Sequence, residues 1–204
     1  MPDPVVTFYF DVRSPYSYLA WEPVFTLPDA YAIRVEALPY TVALADAFGT
    51  PETRDAREVR KIKYTYMDVR RFANERGLTI RGTVKIWETR IAHAAFLYAR
   101  QFACERALYE RLLPKFWNRE FDIENVDKFA ALLGEVGAKP EGFRAYLEGD
   151  ADAALAAIVR DADGKGLFGV PTCIFDGELF WGADRVDWLK MRLTRAGLAI
   201  AKQG

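Results

Sequence analysis

Ser14-Pro15-Tyr16-Ser17 directly follows the apolar run Val5-Val6-Thr7-Phe8-Tyr9-Phe10, and this junction decides the fold. The run predicts a strand over residues 4–12, and the segment after it predicts a helix over residues 15–26. Ser14 then stands at the N-cap and Pro15 at the first helical position, where its missing N–H costs nothing. Because the first N–H groups of a helix lack partners and carry the positive end of its dipole, this corner is suited to binding an anion.

Outward from this corner, strand patterns recur only near the two ends of the chain. A second strand is predicted at residues 32–38, and Asp176-Gly177 between two apolar runs predicts a hairpin near the other end. A last helix is predicted over residues 184–196, with Asp184 as a candidate N-cap. The interior predicts helices over residues 55–76, 88–101, 104–117, 124–136, 140–147 and 150–164.

Composition narrows the class of protein. The 204 residues are 51% hydrophobic with a formal net charge of −1, so the chain can bury a full core and favours neither nucleic acid nor an anionic membrane as a partner. No apolar run is long enough to cross a bilayer and the N-terminus lacks a basic region, so a cytoplasmic protein is expected. Two distant cysteines and a single histidine predict no metal site.

Motifs near both ends carry a family resemblance. Phe8-Tyr9-Phe10-Asp11 before the serine corner, Gly169-Val170-Pro171-Thr172, and Gly182-Ala183-Asp184-Arg185 together resemble the 2-hydroxychromene-2-carboxylate isomerases. These enzymes are relatives of kappa-class glutathione transferases within the DsbA-like group. A weaker similarity runs through Lys61 and Tyr64-x-x-x-Asp68-x-x-Arg71.

The resemblance and the order of predicted elements imply an α/β, thioredoxin-like fold with a large all-helical insertion, as in DsbA-like proteins. Residues 1–42 and 165–204 would form the thioredoxin-like domain, and residues 43–164 would form the helical insertion domain. Thioredoxin-like redox proteins carry Cys-x-x-Cys at the strand-to-helix corner, whereas this chain has serine at both ends of the tetrapeptide. Dithiol exchange is therefore disfavoured, because a hydroxyl cannot form a mixed disulfide.

The resemblance also implies a glutathione cofactor, whose sulfur Ser14 would activate by donating a hydrogen bond. To make a thiol of pKa ~8.5 mostly thiolate at neutral pH, the pKa must fall by roughly two units, or about 2.7 kcal/mol. A helix N-terminus supplies roughly 0.3–1 kcal/mol and a hydroxyl donor about 1.5–3 kcal/mol, so together they suffice. The alternative is an ordinary N-cap serine, which the tetrapeptide alone favours and the Val170-Pro171 motif disfavours.

The same resemblance assigns the rest of the cofactor site. Proline is unusual at the start of a strand, and in thioredoxin-like proteins the matching bond is cis, which leaves the preceding backbone free to pair with a peptide-like ligand. The backbone of Val170, before Pro171, would pair with the cysteinyl part of glutathione. The γ-glutamyl carboxylate goes to the Ala183 N–H, its ammonium to Asp184 and the glycyl carboxylate to Lys61. A plain strand-starting proline, an N-cap role for Asp184 and Lys63 in place of Lys61 are the alternatives.

The chain departs from the family where contacts with the substrate are expected. Ile86-Trp87-Glu88-Thr89 stands in place of a Pro-x-Asn-Ser/Thr segment, so the identity of the substrate stays open. Arg13, Tyr16 and Trp87 are the candidates for substrate binding, Arg13 through a substrate carboxylate. The alternatives are a surface position for Arg13 and a core position for the tryptophan.

These observations predict a glutathione-dependent isomerase that acts on a small unsaturated aromatic keto acid by reversible thiolate addition. A homodimer is expected from the relatives. A kappa-like glutathione transferase shares every cofactor residue and differs only in whether the thioether product is retained. A DsbA-like thioredoxin-fold protein without dithiol redox activity is the alternative from another class.

Overall fold

The structure is a computed structural model that describes residues 4–43 and 53–201 of the chain. It divides into two compact units, which we call the sheet unit (residues up to Tyr40 and from Ala157 onward) and the helical unit (Thr41 to Ala156). The second boundary lies inside a helix, before the 164/165 boundary expected from the sequence. Residues 44–52 of the expected helical block lie outside the described residues.

Four strands and eight α-helices make up the described parts of the chain. The strands are β1 (Val5–Phe10), β2 (Arg34–Pro39), β3 (Thr172–Phe175) and β4 (Glu178–Trp181). The helices are α1 (Pro15–Phe25), α2 (Ala56–Glu75), α3 (Arg90–Arg100), α4 (Glu105–Trp117), α5 (Val126–Glu135), α6 (Phe143–Glu148), α7 (Ala151–Gly164) and α8 (Val186–Arg195). Short 3₁₀ turns cover Leu27–Asp29, Pro140–Gly142 and Ala183–Arg185. Each predicted helix and strand is present, with bounds that differ by a few residues at most.

The sheet has the strand order β2-β1-β3-β4, in which β1 pairs with β2 in parallel and with β3 antiparallel. The β3–β4 pair closes through Asp176 and Gly177, which have φ of 52° and 77°. Positive φ at both central residues is the geometry that an Asp-Gly hairpin turn requires. The α/β thioredoxin-like fold expected from the sequence is therefore confirmed.

Both faces of the central strand β1 are covered within the sheet unit. On one face, the rings of Phe8 and Phe10 meet Trp21 of α1 edge-on, with centroids 6.0 and 5.1 Å apart. On the other face, Tyr9 packs with Ala162 of α7 and with Leu167. All these side chains are buried, so α1 is fixed on the strand that leads into it and the start of α1 is held at the end of β1.

In the helical unit, capping side chains fix where helices begin. Asp55 begins α2 with a capping box, in which its side chain accepts the Glu58 N–H and the Glu58 carboxylate accepts the Asp55 N–H. Asn125 begins α5 by accepting the N–H of Lys128 at 2.9 Å. No helix in the described ranges is long and apolar enough to cross a membrane.

Candidate functional site

The serine corner is built by Ser14, at the end of β1 and the start of α1. Its backbone is extended (φ −83°, ψ 112°), and its Oγ accepts the Ser17 N–H at 3.1 Å, so it is the N-cap predicted from the sequence. Pro15 follows at the first helical position. Ser14 is half-buried, and the described residues offer no acceptor to its hydroxyl hydrogen. The hydroxyl can therefore cap the helix and donate to a ligand at the same time.

Asp11 and Arg13 fix the backbone of this corner. The Asp11 carboxylate accepts hydrogen bonds from the Arg13 backbone N–H (2.8 Å), Nε (3.1 Å) and Nη2 (2.8 Å). The two side chains are only 1% and 10% exposed. The Ser14 N–H donates to the Asp11 carbonyl at 2.9 Å, and the Ser17 Oγ accepts the Asp11 N–H at 3.4 Å. The surface position considered for Arg13 is therefore wrong, because its guanidinium is buried against a carboxylate.

The second part of the site is the loop before β3. The Val170-Pro171 peptide bond is cis, as expected from the sequence. Thr172 is 1% exposed and donates its hydroxyl to the Gly169 carbonyl at 2.7 Å, which closes the loop across that bond. Neither the N–H nor the carbonyl of half-buried Val170 has a hydrogen-bond partner among the described residues. Unpaired backbone groups of this kind are suited to pairing with an extended, peptide-like ligand.

The sheet brings the corner and this loop to the same end of the fold. In the β1–β3 register Tyr9 pairs with Thr172, so the residues after β1 and those before β3 lie side by side. The Gly182 N–H then donates to the Pro171 carbonyl at 2.8 Å, which joins the segment after β4 to the same place. The following turn, Ala183–Arg185, packs against α1. Ser14, Val170, Pro171, Ala183 and Asp184 are thus gathered in the sheet unit.

This combination, a strand-to-helix corner beside a cis-proline loop, is typical of thioredoxin-like proteins. The family model of the DSBA-like thioredoxin domain matches residues 5–194. The chain belongs to the DsbA-like thioredoxin family. Its motifs, however, resemble a particular branch of that family, and the individual relatives agree with this resemblance.

Those relatives are named 2-hydroxychromene-2-carboxylate isomerase. The Pseudomonas putida protein is 28% identical over 201 residues and covers 94% of this chain and 95% of its own. The Sphingobium xenophagum protein is 27% identical over 192 residues, and the match covers 92% of this chain and 97% of that protein. A solved structure of a 2-hydroxychromene-2-carboxylate isomerase superposes with a TM-score of 0.79 at 25% identity and covers 95% and 96% of the two chains. The resemblance predicted from the motifs is confirmed.

In this DsbA-like chain Asp184 does not cap the last helix. A 3₁₀ turn precedes α8, whose N-cap is Arg185 with no side-chain hydrogen bond. The Asp184 carboxylate instead pairs with the Arg185 guanidinium at 2.8 Å and is exposed. The N-cap alternative for Asp184 is therefore wrong. Since the described residues give the Ala183 N–H no acceptor, this turn still presents a backbone donor beside Pro171.

Three further candidates are Tyr16, Lys61 and Trp87. Tyr16 is half-buried in the first turn of α1. Lys61 is exposed on α2, and half-buried Trp87 lines a cavity, both in the helical unit. The structure thus places seven of the nine predicted site residues in the sheet unit and two, Lys61 and Trp87, in the helical unit.

Neither cysteine of the DsbA-like chain resembles a redox thiol. Cys173 lies two residues after Pro171 and is fully buried, and burial raises its pKa to about 12. Burial also raises the pKa of Cys104, and the nearby Glu105 adds to the effect. Thiol exchange requires an accessible thiolate, so both side chains are packing residues in this fold.

Two contributors to the corner were missed from the sequence. Asp11 belongs to a family motif, and an aspartate that follows an apolar strand two residues before an arginine is also a signal for a local ion pair. Thr172 is the second contributor. Its hydroxyl bond to Gly169 is typical of short Ser/Thr turns, and the spacing of three residues could have indicated it.

Proposed function

We propose that the protein is a glutathione-dependent isomerase of a small, unsaturated aromatic keto acid, of the 2-hydroxychromene-2-carboxylate type. One observation carries the proposal: the unpaired backbone groups of Val170 lie at the same end of the sheet as the Ser14 hydroxyl, whose proton has no acceptor among the described residues. The relatives named as isomerases over nearly the whole chain support it.

The residues present fit a γ-glutamyl tripeptide. The Val170 N–H and carbonyl would pair with its cysteinyl backbone, next to the cis bond before Pro171. The Ala183 N–H and the Asp184 carboxylate would hold the carboxylate and ammonium of the γ-glutamyl end. Lys61 would bind the glycyl carboxylate, as the family resemblance suggests.

The catalytic part of the proposal is the stabilisation of negative charge at the start of α1. Glutathione, when bound, would supply a thiolate that adds reversibly to the substrate and leaves unchanged. Ser14 would donate its hydroxyl hydrogen to the anionic sulfur while its Oγ keeps the Ser17 N–H as cap. The helix dipole favours the same charge. Ser14 itself makes no covalent bond, and the ion pair of Asp11 and Arg13 keeps its backbone in position.

Binding of reduced glutathione to the wild type, Ser14→Ala and Ser14→Thr tests this function. At roughly 100 times Kd, glutathione should stabilise each protein by about 2.7 kcal/mol relative to its own ligand-free form in thermal unfolding. The ultraviolet absorbance of bound thiolate at neutral pH should be present in the wild type and Ser14→Thr and largely lost in Ser14→Ala.

The outcome also separates the alternatives. No thermal shift in the wild type would remove glutathione from the proposal, and an unchanged thiolate signal in Ser14→Ala would remove Ser14 from its role. With 2-hydroxychromene-2-carboxylate as substrate, NMR spectroscopy should find an isomerised product and free glutathione. Accumulation of a thioether would instead indicate a transferase.

A further inference from the structure

The helical unit contains a cavity of about 230 Å³ that the proposed isomerase site does not account for. Three segments line it: the loop after α2, the end of α4 with the residues that follow it, and α5. All belong to the helical unit. The lining residues used below are Arg81, Val84, Trp87, Phe116, Phe121 and Lys128.

The walls of this cavity are aromatic. Half-buried Trp87 meets buried Phe116 edge-on, with ring centroids 6.1 Å apart. Phe121 is held in place by Phe129 at 5.1 Å. Val84 lies at the rim and is 66% exposed. Flat aromatic walls with an exposed apolar rim are suited to a planar ring.

Positive charge lines the same cavity. The side chains of Arg81 and Lys128 form no ion pair with a carboxylate among the described residues, and the Lys128 ammonium lies 6.0 Å from the Phe121 ring. A third cation, Arg119, donates hydrogen bonds from Nε and Nη2 to the Gly82 carbonyl. Glu120 and Asp122 also line the cavity, and Asp122 accepts the Glu124 N–H at 2.9 Å. Three cations and two acids leave the lining with one excess positive charge.

The loop that forms one wall is held by specific contacts. The Glu124 carboxylate accepts the Lys85 ammonium at 2.6 Å and the Glu88 N–H at 2.9 Å, and these bonds lower the pKa of Glu124. The Arg70 Nε donates to the Ile80 carbonyl at 3.0 Å. Because the loop is ordered by the protein's own groups, a ligand would not have to order it on binding.

We propose that this cavity binds a planar aromatic carboxylate, with its ring against Trp87 and Phe116 and its carboxylate toward Arg81 and Lys128. The volume is below the roughly 300–1,000 Å³ of drug-sized pockets, so the ligand is a compound of one or two rings. The site lies in the helical unit and needs no glutathione. Its lining contains none of the residues to which the proposed function assigns glutathione.

Titration with 2-naphthoate in the absence of glutathione tests this site. The indole N–H signal of Trp87, assigned among the five tryptophans by Trp87→Phe, should shift in a saturable way in two-dimensional NMR. The neutral 2-naphthamide should bind about tenfold more weakly, because it lacks the charge that Arg81 and Lys128 recognise. Cyclohexanecarboxylate, which lacks the flat ring, should also bind more weakly.

Variants decide whether charge recognises the ligand. Arg81→Gln combined with Lys128→Met should raise the Kd of 2-naphthoate at least about tenfold and leave that of 2-naphthamide unchanged. The matched control, Arg111→Gln with Lys139→Met, replaces two exposed cations outside the cavity and should change neither. Thr83→Glu places a carboxylate in the lining and should weaken only the naphthoate.

The proposal is overturned if Trp87 shows no saturable shift, if acid and amide bind equally, or if the double variant retains the wild-type Kd. Circular dichroism of each variant verifies folding, and Thr83→Glu gives an independent answer should the double variant not fold. A protein that fails to bind glutathione but binds 2-naphthoate in this way would overturn the proposed function alone.

Discussion

The serine corner of the sheet unit and the cavity of the helical unit, here called the aromatic pocket, are built from different kinds of chemical group. The corner consists of backbone groups and short side chains, and it is fixed by a buried ion pair of which Asp11 is 1% exposed. The pocket consists of large side chains from three segments, and its wall is fixed by the Lys85–Glu124 pair, which is 48% and 30% exposed. Substitutions that disturb the corner should therefore cost folding stability, whereas those in the pocket should mainly change what it binds.

Removing the acid of each ion pair should show the largest difference. Asp11→Ala leaves the Arg13 guanidinium buried without its carboxylate, so the free energy of unfolding should fall by about 3–5 kcal/mol. Glu124→Ala removes an acid from a more exposed pair and should cost about 1 kcal/mol or less. Urea unfolding at neutral pH measures both. Equal losses would show that the corner is no more firmly fixed than the pocket.

Alkaline pH should reveal a smaller effect at the buried thiol beside the cis-proline loop. The pKa of Cys173 is raised to about 12 in the folded protein and is ~8.5 in an unfolded chain. The folded state therefore retains a proton that the unfolded state releases, and this contribution to stability is lost as pH rises above about 8.5. Between pH 8 and 10 the loss should be about 2 kcal/mol.

Cys173→Ala should remove that pH dependence, which urea unfolding at several pH values would detect. Cys104→Ala in the helical unit is the matched control, and it should flatten the curve less, because the pKa of Cys104 is raised less strongly. Identical slopes in the wild type and Cys173→Ala would mean that the Cys173 thiol is open to solvent.

The smallest expected effect concerns single hydroxyl groups. Thr172→Val removes the buried bond to the Gly169 carbonyl and should cost about 1 kcal/mol, while glutathione binding weakens severalfold as the Val170 backbone loses its support. Thr83 belongs to the pocket lining, and Thr83→Val removes its exposed hydroxyl contact with Tyr66. This change should lower the free energy of unfolding by only about a few tenths of a kcal/mol. Thermal unfolding with and without glutathione measures both quantities, and Thr172→Ser should retain wild-type affinity. Full glutathione affinity in Thr172→Val would show that the loop keeps its shape without this bond.

The corner could be predicted from the sequence because its signals are local. An alternating strand, a capping serine and a proline at the first helical position stand within a few residues of one another, and each has a preferred backbone geometry. The prediction of Asp184 as N-cap failed because the chain first forms a 3₁₀ turn, so the helix begins two residues later. The burial of Arg13 could not be predicted because the local sequence shows that Asp11 and Arg13 are close together but not that the fold covers their ion pair.

The sequence contains no comparable local signal for the aromatic pocket. Trp87 was predicted to contact a substrate, but Phe116 and Phe121 cannot be distinguished by their sequence pattern from ordinary core residues in or beside a helix. That they share one cavity with Arg81 and Lys128 depends on how the loop after α2 is folded. Contacts such as Arg119 with the Gly82 carbonyl set that fold, and they join residues far apart in sequence.

The strand order also has a consequence for synthesis on the ribosome. Strand β1 pairs on one side with β2, which follows it closely, but on the other side with β3, where Thr7 meets Ile174. All of the helical unit is therefore translated while the β3-facing edge of β1 still lacks its partner. At roughly 5–20 residues per second, that edge stays open for many seconds and can pair with another nascent chain. Chaperone binding to the first forty residues would protect the protein during this interval, and shortening the interval would be expected to reduce aggregation.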